Sequence, residues 1–176
     1  MEMCIDATDE KINRIFMNTA EKKEIMEAVF QAGLPIGSMS VSALTKYALG
    51  DPGEEIRKKA MQIAEKSIEL AVDLGVRTVM IPGYDIYFGE STIETKKYFL
   101  ENVKKIAEIA EREGILVGFE TMENNFMNTT GKAVQYVNMV DSAYLKIYPD
   151  AGNITNAAVE NQHDVCEDLS LWVKES

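Results

Sequence analysis

The feature of this sequence that most constrains its fold is a repeated alternation of a short β-rich run, a turn and a long amphipathic helix. The β-rich runs cover residues 34–41, 76–81, 115–119 and 144–148. This alternation is typical of parallel βαβ units. We find no low-complexity segment or linker that would divide the chain, so residues 1–176 are predicted to form a single α/β domain.

Capping signals mark where several helices begin and end. The first helix is predicted to begin near Asn18, a good N-cap residue, and to end at Gly33, where a left-handed backbone is favoured. Gly75 and Gly114 close the next two helices in the same way. A shorter helix is predicted over residues 130–140.

Two further helix starts are predicted from capping boxes, in which an N-cap side chain and an acidic side chain three residues later satisfy the first backbone amides. In the first, Asp51 is the N-cap, Pro52 occupies the first helical position and Glu54 completes the box. In the second, Ser91 pairs with Glu94.

Charge and cysteine content limit the classes of function. The chain has 18 basic and 29 acidic residues and a net charge of −11, which disfavours binding to nucleic acid or anionic lipid. Cys4 and Cys166 form neither a zinc-binding spacing nor a disulfide framework. The first residues lack a signal peptide, and no apolar run reaches the roughly 20 residues of a membrane span. The sequence therefore predicts a cytoplasmic protein.

Two carboxylates stand at predicted strand ends, where the catalytic groups of parallel α/β folds are found. Glu120 directly follows the apolar run Ile-Leu-Val-Gly-Phe, and Asp150 repeats the pattern on the next strand. A carboxylate in such a place is costly to desolvate unless a cation or hydrogen bonds match it. The two side chains can converge on one divalent ion, and their hard oxygen atoms suit Mg²⁺ or Mn²⁺. The alternative is that both residues cap the following helices or form ion pairs.

The motifs at residues 118–123, Gly-Phe-Glu-Thr-Met-Glu, and 148–153, Tyr-Pro-Asp-Ala-Gly-Asn, resemble those of the L-ribulose-5-phosphate 3-epimerases. These enzymes belong to the xylose-isomerase-like barrels. The resemblance extends over roughly residues 1–165 in an ordered set of further pieces, among them Gly83-Tyr84-Asp85-Ile86-Tyr87 and Lys46-Tyr47-Ala48-Leu49-Gly50. It implies a partial TIM (β/α)8 barrel with about strands two to six and their helices, because a complete barrel typically needs about 250 residues.

The resemblance also implies a set of site residues. Glu120 would be both a metal ligand and the catalytic group that handles a substrate proton, and Asp150 would be a second metal ligand. The cofactor would be a divalent metal: Mn, Zn or Mg. The residues implied to bind substrate are Lys46, Tyr47, Tyr84, Asp85 and Asn153.

The function implied is an isomerase that performs metal-dependent 3-epimerisation of L-ribulose 5-phosphate or L-xylulose 5-phosphate, in pentose or ascorbate catabolism. The proton would be removed and returned through a cis-enediolate, and the small-molecule partner would be the sugar phosphate. The resemblance is also compatible with an enzyme related to the 3-keto-hexulose-phosphate isomerases. The acidic composition disfavours the related barrel endonucleases that process abasic DNA.

The sequence also departs from the family pattern. The first strand of the family is not found ahead of the strand that ends near Ile5 and Asp6. Trp172 stands where the family has a histidine ligand, and the last strand with a second catalytic glutamate is absent. We interpret His163 as the entrance to a polar helix rather than as a substitute ligand. Two interpretations stay open: an enzyme of this family, or a non-catalytic remnant or partner-dependent fragment of such a barrel.

An incomplete barrel would expose strand edges, which tend to pair with another chain. We therefore expect a homo-oligomer formed through exposed barrel edges, or coverage of an edge by the tail. The apolar tail at residues 169–173 is predicted to add a makeshift strand beside residues 144–148.

Overall fold

The structure, a computed structural model, describes residues 1–161 and 164–175, with side chains described for residues 1–160 and 164–170. Its centre is a five-stranded sheet in which every neighbouring pair of strands is parallel and the strands follow chain order. The strands are β1 (Glu2–Cys4), β2 (Ser38–Ser40), β3 (Thr78–Pro82), β4 (Leu116–Glu120) and β5 (Leu145–Tyr148). This arrangement confirms the predicted partial barrel.

Helices connect the strands and continue after the last one. They are α1 (Asp9–Ile12), α2 (Thr19–Ala32), α3 (Ala43–Lys46), α4 (Glu54–Asp73), α5 (Ile93–Glu113), α6 (Thr130–Val140), α7 (Ala151–Asn161) and α8 (Val165–Glu175), and a 3-10 helix covers Asn13–Phe16. Asn18 caps α2, Gly33 follows α2 with a left-handed backbone, and α6 covers the predicted residues 130–140.

The two faces of the sheet differ because successive side chains of a strand point in opposite directions. One face is the core: Met39, Val79, Val117 and Leu145 stand side by side in the register and are at most 1% exposed. The other face corresponds to a barrel interior and carries Glu120. Because all the strands are parallel, their carboxyl ends, which carry the candidate site residues, lie together at one end of the sheet.

An aromatic cluster fills the core next to the carboxyl end of β4. Phe99 of α5 is fully buried and stacks on Phe119 of β4 with ring centroids 5.7 Å apart. Phe126 and Tyr136 contact Phe99 edge-on at 5.0 and 5.5 Å. Aromatic rings prefer such offset and edge-to-face contacts, which add to the gain from burial. The cluster supports β4 at the residue that precedes Glu120.

The predicted capping box at Asp51 is wrong. Helix α4 begins at Glu54 with Gly53 as its N-cap, and no side chain caps it. The Asp51 carboxylate instead accepts a hydrogen bond from the Gly53 amide at 2.7 Å, which is a local turn that competes with capping. Arg57 donates to the carbonyl oxygens of Asp51 and Pro52 at 2.6 and 2.8 Å and so holds this turn.

The predicted capping box at Ser91 is also wrong, by one residue. The N-cap of α5 is Thr92, which exchanges hydrogen bonds with Thr95 in a capping box. The Ser91 hydroxyl donates to the Asp85 carboxylate at 2.7 Å instead. A buried acceptor in the same loop, between β3 and α5, therefore binds the side chain that the sequence predicted as the N-cap of the helix.

The prediction that the tail adds a strand beside β5 is wrong, because residues 169–173 lie within helix α8. This helix packs on α6 through Asp168, which is 7% exposed. The Thr130 amide donates to both carboxylate oxygens of Asp168 at 3.1 Å, and the Thr130 hydroxyl donates to the Asp168 carbonyl oxygen. Asp168 thereby supplies acceptors to the first turn of α6.

Strands β1 and β5 are the edges of the described sheet. Helix α2, beside β1, has no buried residue, and its Met26 and Phe30 are 37% and 87% exposed. Met3, Ile25, Val29 and Ile36 line an apolar groove of about 530 Å³ between β1 and α2. Within the described part of the chain, no helix has the length and apolar character needed to cross a membrane.

Candidate active site

Glu120 is the last residue of β4, and Asp150 follows the end of β5, the adjacent parallel strand. Burial raises the pKa of the Glu120 carboxyl above its usual range, and the charges of Asp150, Glu2 and Glu123 raise it further. Among the described residues, no hydrogen bond or ion pair reaches the Glu120 side chain. Glu120 is therefore a partly desolvated carboxylate crowded by negative charge.

Asp150 has a structural contact that Glu120 lacks. One oxygen of its carboxylate accepts the backbone amide of Asn153 at 2.7 Å, at the start of α7. One oxygen of Asp150 therefore caps the following helix, as the alternative in the sequence analysis expected. The second oxygen makes no hydrogen bond to a described residue.

Thr121, which is fully buried, connects the loops after β4 and β5. Its hydroxyl accepts from the Asp150 amide at 2.8 Å, and its carbonyl oxygen accepts from the Asn153 side-chain amide at 3.0 Å. These bonds fix the Asp150 backbone relative to Glu120. Sequence reasoning missed Thr121, although it lies within the motif at residues 118–123.

Tyr84 and Glu123 form a second feature that the sequence did not predict as a pair. The Tyr84 hydroxyl lies 2.8 and 2.7 Å from the two carboxylate oxygens of Glu123. Tyr84 is only 4% exposed, and burial followed by the Glu123 charge raises the pKa of its phenol well above the ordinary value. The predicted contact between Tyr84 and a substrate stays a prediction.

Asp85, also predicted to bind substrate, is fully buried. One carboxylate oxygen accepts from the hydroxyls of Ser91 and Thr95 at 2.7 and 2.6 Å, and its carbonyl oxygen accepts from the Gly50 amide at 2.9 Å. Its other carboxylate oxygen has no hydrogen-bond partner among the described residues. Asp85 therefore organises the loop between β3 and α5, and its contact with a ligand stays a prediction.

Lys46 and Tyr47 follow β2, at the same end of the sheet as Glu120 and Asp150. Lys46 is exposed, and its ammonium lies 5.3 Å from the centre of the Tyr47 ring. No contact described in residues 1–160 and 164–170 joins this pair to Glu120 or Asp150. Both residues therefore lie at the carboxyl ends of the strands but do not contact the carboxylates of Glu120 and Asp150.

The donors present suit a divalent metal in kind but not in number. Glu120 and Asp150 offer hard carboxylate oxygens, and the charge crowding at Glu120 is of the type that a cation relieves. Among the side chains that the structure describes, however, no group of three or more His, Cys, Asp or Glu residues is arranged to hold an ion. His163 and the Trp172 side chain lie outside the described residues.

Comparison with known proteins places this geometry in a family. The family model for the xylose isomerase-like TIM barrel matches residues 1–170. The chain belongs to this family. It is 30% identical, over its whole length, to the L-ribulose-5-phosphate 3-epimerase UlaE of Shigella boydii serotype 18, and the match covers 63% of that protein. This identity confirms the resemblance found in the sequence. The chain thus spans less than two thirds of the length of this relative.

Solved structures of the xylose isomerase-like barrels share the fold. A D-tagatose 3-epimerase-like protein superposes with a TM-score of 0.74 and 21% identity, over 97% of this chain and 62% of the other. A xylose isomerase-like TIM barrel protein from Mycobacterium smegmatis, in complex with magnesium, gives a TM-score of 0.66 and 20% identity, over 86% and 53%. At these identities the likeness concerns the fold alone.

Proposed function

We propose that this chain acts in the metal-dependent 3-epimerisation of L-ribulose 5-phosphate and L-xylulose 5-phosphate. The observation that carries the proposal is Glu120, a partly buried carboxylate with a raised pKa and no hydrogen-bond or ion-pair partner among the described side chains. A group of this kind at the carboxyl end of a barrel strand is placed to accept a proton from a ligand. The name of the curated relative supplies the substrate.

In this proposal Glu120 removes the proton from the carbon next to the substrate carbonyl, which leaves a cis-enediolate. Glu120 and Asp150 would hold a divalent Mn, Zn or Mg ion, which when bound supplies Lewis-acid polarisation of the carbonyl. Asn153, Lys46 and Tyr47 would contact the sugar phosphate from the neighbouring loops. We assign Tyr84 and Asp85 to the loop that bounds the site, because both side chains are buried.

A second candidate is a non-catalytic remnant or partner-dependent fragment of such a barrel. The observation that favours it is the lack of a third metal-binding side chain among the described residues. Epimerisation with inversion needs a second acid–base group on the opposite face of the substrate. The resemblance assigns no residue of this sequence to that step.

An epimerase assay separates the two candidates. Purified protein with added Mn²⁺ is expected to convert L-ribulose 5-phosphate to L-xylulose 5-phosphate, monitored by NMR. Removal of the metal with a chelator is expected to lower the rate at least about tenfold, and Mn²⁺ should restore it, because the carbonyl loses its Lewis acid. A protein that folds but shows no turnover with Mn²⁺, Zn²⁺ or Mg²⁺ would support the remnant.

We further propose that the reaction belongs to pentose or ascorbate catabolism in the cytoplasm. The substrate named for the curated relative supports the first part. Cys4 and Cys166 are both free thiols, which supports a reducing compartment. Fractionation of cells that produce the protein would test the location.

We also propose that the chain forms a homo-oligomer through the strand edges and the exposed face of α2. Unpaired edges and large exposed apolar side chains favour association. Light scattering after size exclusion is expected to give a mass at least twice the 19.7 kDa of one chain. Phe30→Glu should lower that mass, whereas Phe88→Glu, which alters another exposed ring, should not. A wild-type monomer would contradict the proposal.

A further inference from the structure

We propose that Glu123 binds hydroxyl groups of the sugar phosphate away from the reacting carbon, and that Tyr84 is a positioning residue for Glu123. This inference rests on the proposed function and adds a residue that determines substrate specificity. The ligand class is a phosphorylated ketose whose hydroxyl groups can donate to a carboxylate.

Glu123 combines exposure with a fixed orientation. Its side chain is exposed, yet both carboxylate oxygens lie within hydrogen-bond distance of the Tyr84 hydroxyl, at 2.8 and 2.7 Å. A phenol has one hydrogen to donate, whereas an ionised carboxylate has about four acceptor positions. No cation pairs with Glu123 in the described part of the chain. Acceptor positions on Glu123 therefore remain for donors from outside, and sugar hydroxyls are such donors.

Tyr84 is suited to hold that carboxylate because its own position is strongly determined. It is 4% exposed and follows Gly83, whose amide donates to the carbonyl oxygen of Glu120 at 3.0 Å. A β-carbon at Gly83 would lie 2.6 Å from the Glu120 carbonyl oxygen and 2.5 Å from Met127 Cγ. The loop after β3 thus packs directly on the end of β4. Burial keeps the pKa of the Tyr84 phenol high, so the hydroxyl remains a donor.

Glu123 also lies close to the group assigned to proton transfer. It follows Glu120 by three residues in the loop after β4, and its partner Tyr84 follows Gly83, whose amide donates to the Glu120 carbonyl oxygen at 3.0 Å. A ligand whose reacting carbon contacts Glu120 would therefore have its remaining hydroxyls within the surroundings of Glu123. Recognition at a distance from the reacting atoms contributes to binding more than to the chemical step when it is equal in the ground and transition states.

The alternative is that the Tyr84–Glu123 bond only connects two loops. The chain offers a matched control for this alternative, because Tyr98 donates to Glu94 at 2.7 Å on the exposed surface of α5. Both pairs consist of a phenol and a carboxylate, but only one of them adjoins Glu120. A purely structural role of Tyr84–Glu123 predicts changes in thermal stability without a specific change in ligand affinity.

The experiment compares wild type with Glu123→Gln, Tyr84→Phe, the double variant and the control Tyr98→Phe. Affinity for L-ribulose 5-phosphate is measured by calorimetry with Mn²⁺ present, and KM and kcat are measured by the epimerase assay. Glu123→Gln is expected to raise Kd and KM roughly 10- to 100-fold, the usual loss for a hydrogen bond to a charged group, with kcat within about threefold. Tyr84→Phe should raise them less, and the double variant should match Glu123→Gln because the two residues act as a unit. Tyr98→Phe should equal wild type.

A deoxy analogue of the substrate provides a readout that a structural role would not change. Loss of the hydroxyl that contacts Glu123 should weaken binding to wild type and leave binding to Glu123→Gln unaltered. Equal affinity of Glu123→Gln and wild type for L-ribulose 5-phosphate would overturn the inference alone. Additive effects of the two single variants, with lower melting temperatures, would also overturn it. Failure of wild type itself to bind the sugar phosphate would overturn the proposed function first, and the inference with it.

Discussion

Replacing Glu120 by glutamine is expected to lower kcat of the proposed epimerisation by about 10² to 10⁴, the usual contribution of a general acid–base group. Glutamine keeps the size of the side chain but cannot accept the substrate proton. The epimerase assay that tests the proposed function measures this change. Glu108→Gln, which alters an exposed carboxylate on α5, is the matched control and should leave kcat unchanged.

Stability measurements distinguish a role in the site from a role in folding. Burial and neighbouring carboxylates raise the pKa of Glu120 in the folded chain, so its ionised form is less favourable in the folded state than in the unfolded state. Above that pKa the charge lowers stability, and an uncharged glutamine removes this penalty. We therefore expect Glu120→Gln to melt at the same temperature as wild type or higher. An active Glu120→Gln, or an inactive one that melts much lower, would contradict the assignment.

The parts of the fold that the sequence predicted well depend on local signals. Asn18 and Gly33 carry their conformational preferences with them, and α6 covers the residues 130–140 that the sequence predicted. The two wrong helix starts arose because a competing contact took the side chain that was predicted to cap the helix. At Asp51 and Ser91 the side chain found a different partner, and only for Asp51 was that partner local.

The apolar residues of the tail have a spacing that fits a helix better than the predicted strand. Residues Val165, Leu169, Trp172 and Val173 recur at helical spacing, whereas the strand interpretation rested on the short apolar run alone. Short apolar runs do not distinguish a strand from a buried helix. The helical spacing of these four residues favours a helix, in agreement with α8.

The candidate site was only partly predictable for a related physical reason. Glu120 and Asp150 each follow an apolar strand, and this pattern is visible in the sequence. The hydrogen bond from Tyr84 to Glu123 joins residues 39 positions apart in two loops, and no sequence period reports such a contact. The burial of Asp85 likewise depends on Ser91, Thr95 and Gly50 assembling around it.

The largest expected effect on stability comes from the aromatic cluster beneath the site. Phe99→Ala is expected to lower the free energy of unfolding by roughly 3–5 kcal/mol, because it removes a fully buried ring and leaves a cavity. The loss includes one stacked contact with Phe119 and edge contacts with Phe126 and Tyr136. Since natural domains are stable by only about 5–15 kcal/mol, such a loss is a large part of the total. Urea unfolding followed by circular dichroism measures it.

Phe88→Ala is the control for this substitution, since it makes the same chemical change at a ring that is 77% exposed. Its effect should stay within about 0.5 kcal/mol. Because Phe119 precedes Glu120 and Phe126 lies in the loop that carries Glu123, loss of the Phe99 ring should also weaken ligand binding below the unfolding transition. If Phe99→Ala costs less than about 1 kcal/mol, the cluster does not support the end of β4, and the rigidity that the site requires must come from the hydrogen bonds of Thr121 and Gly83 instead.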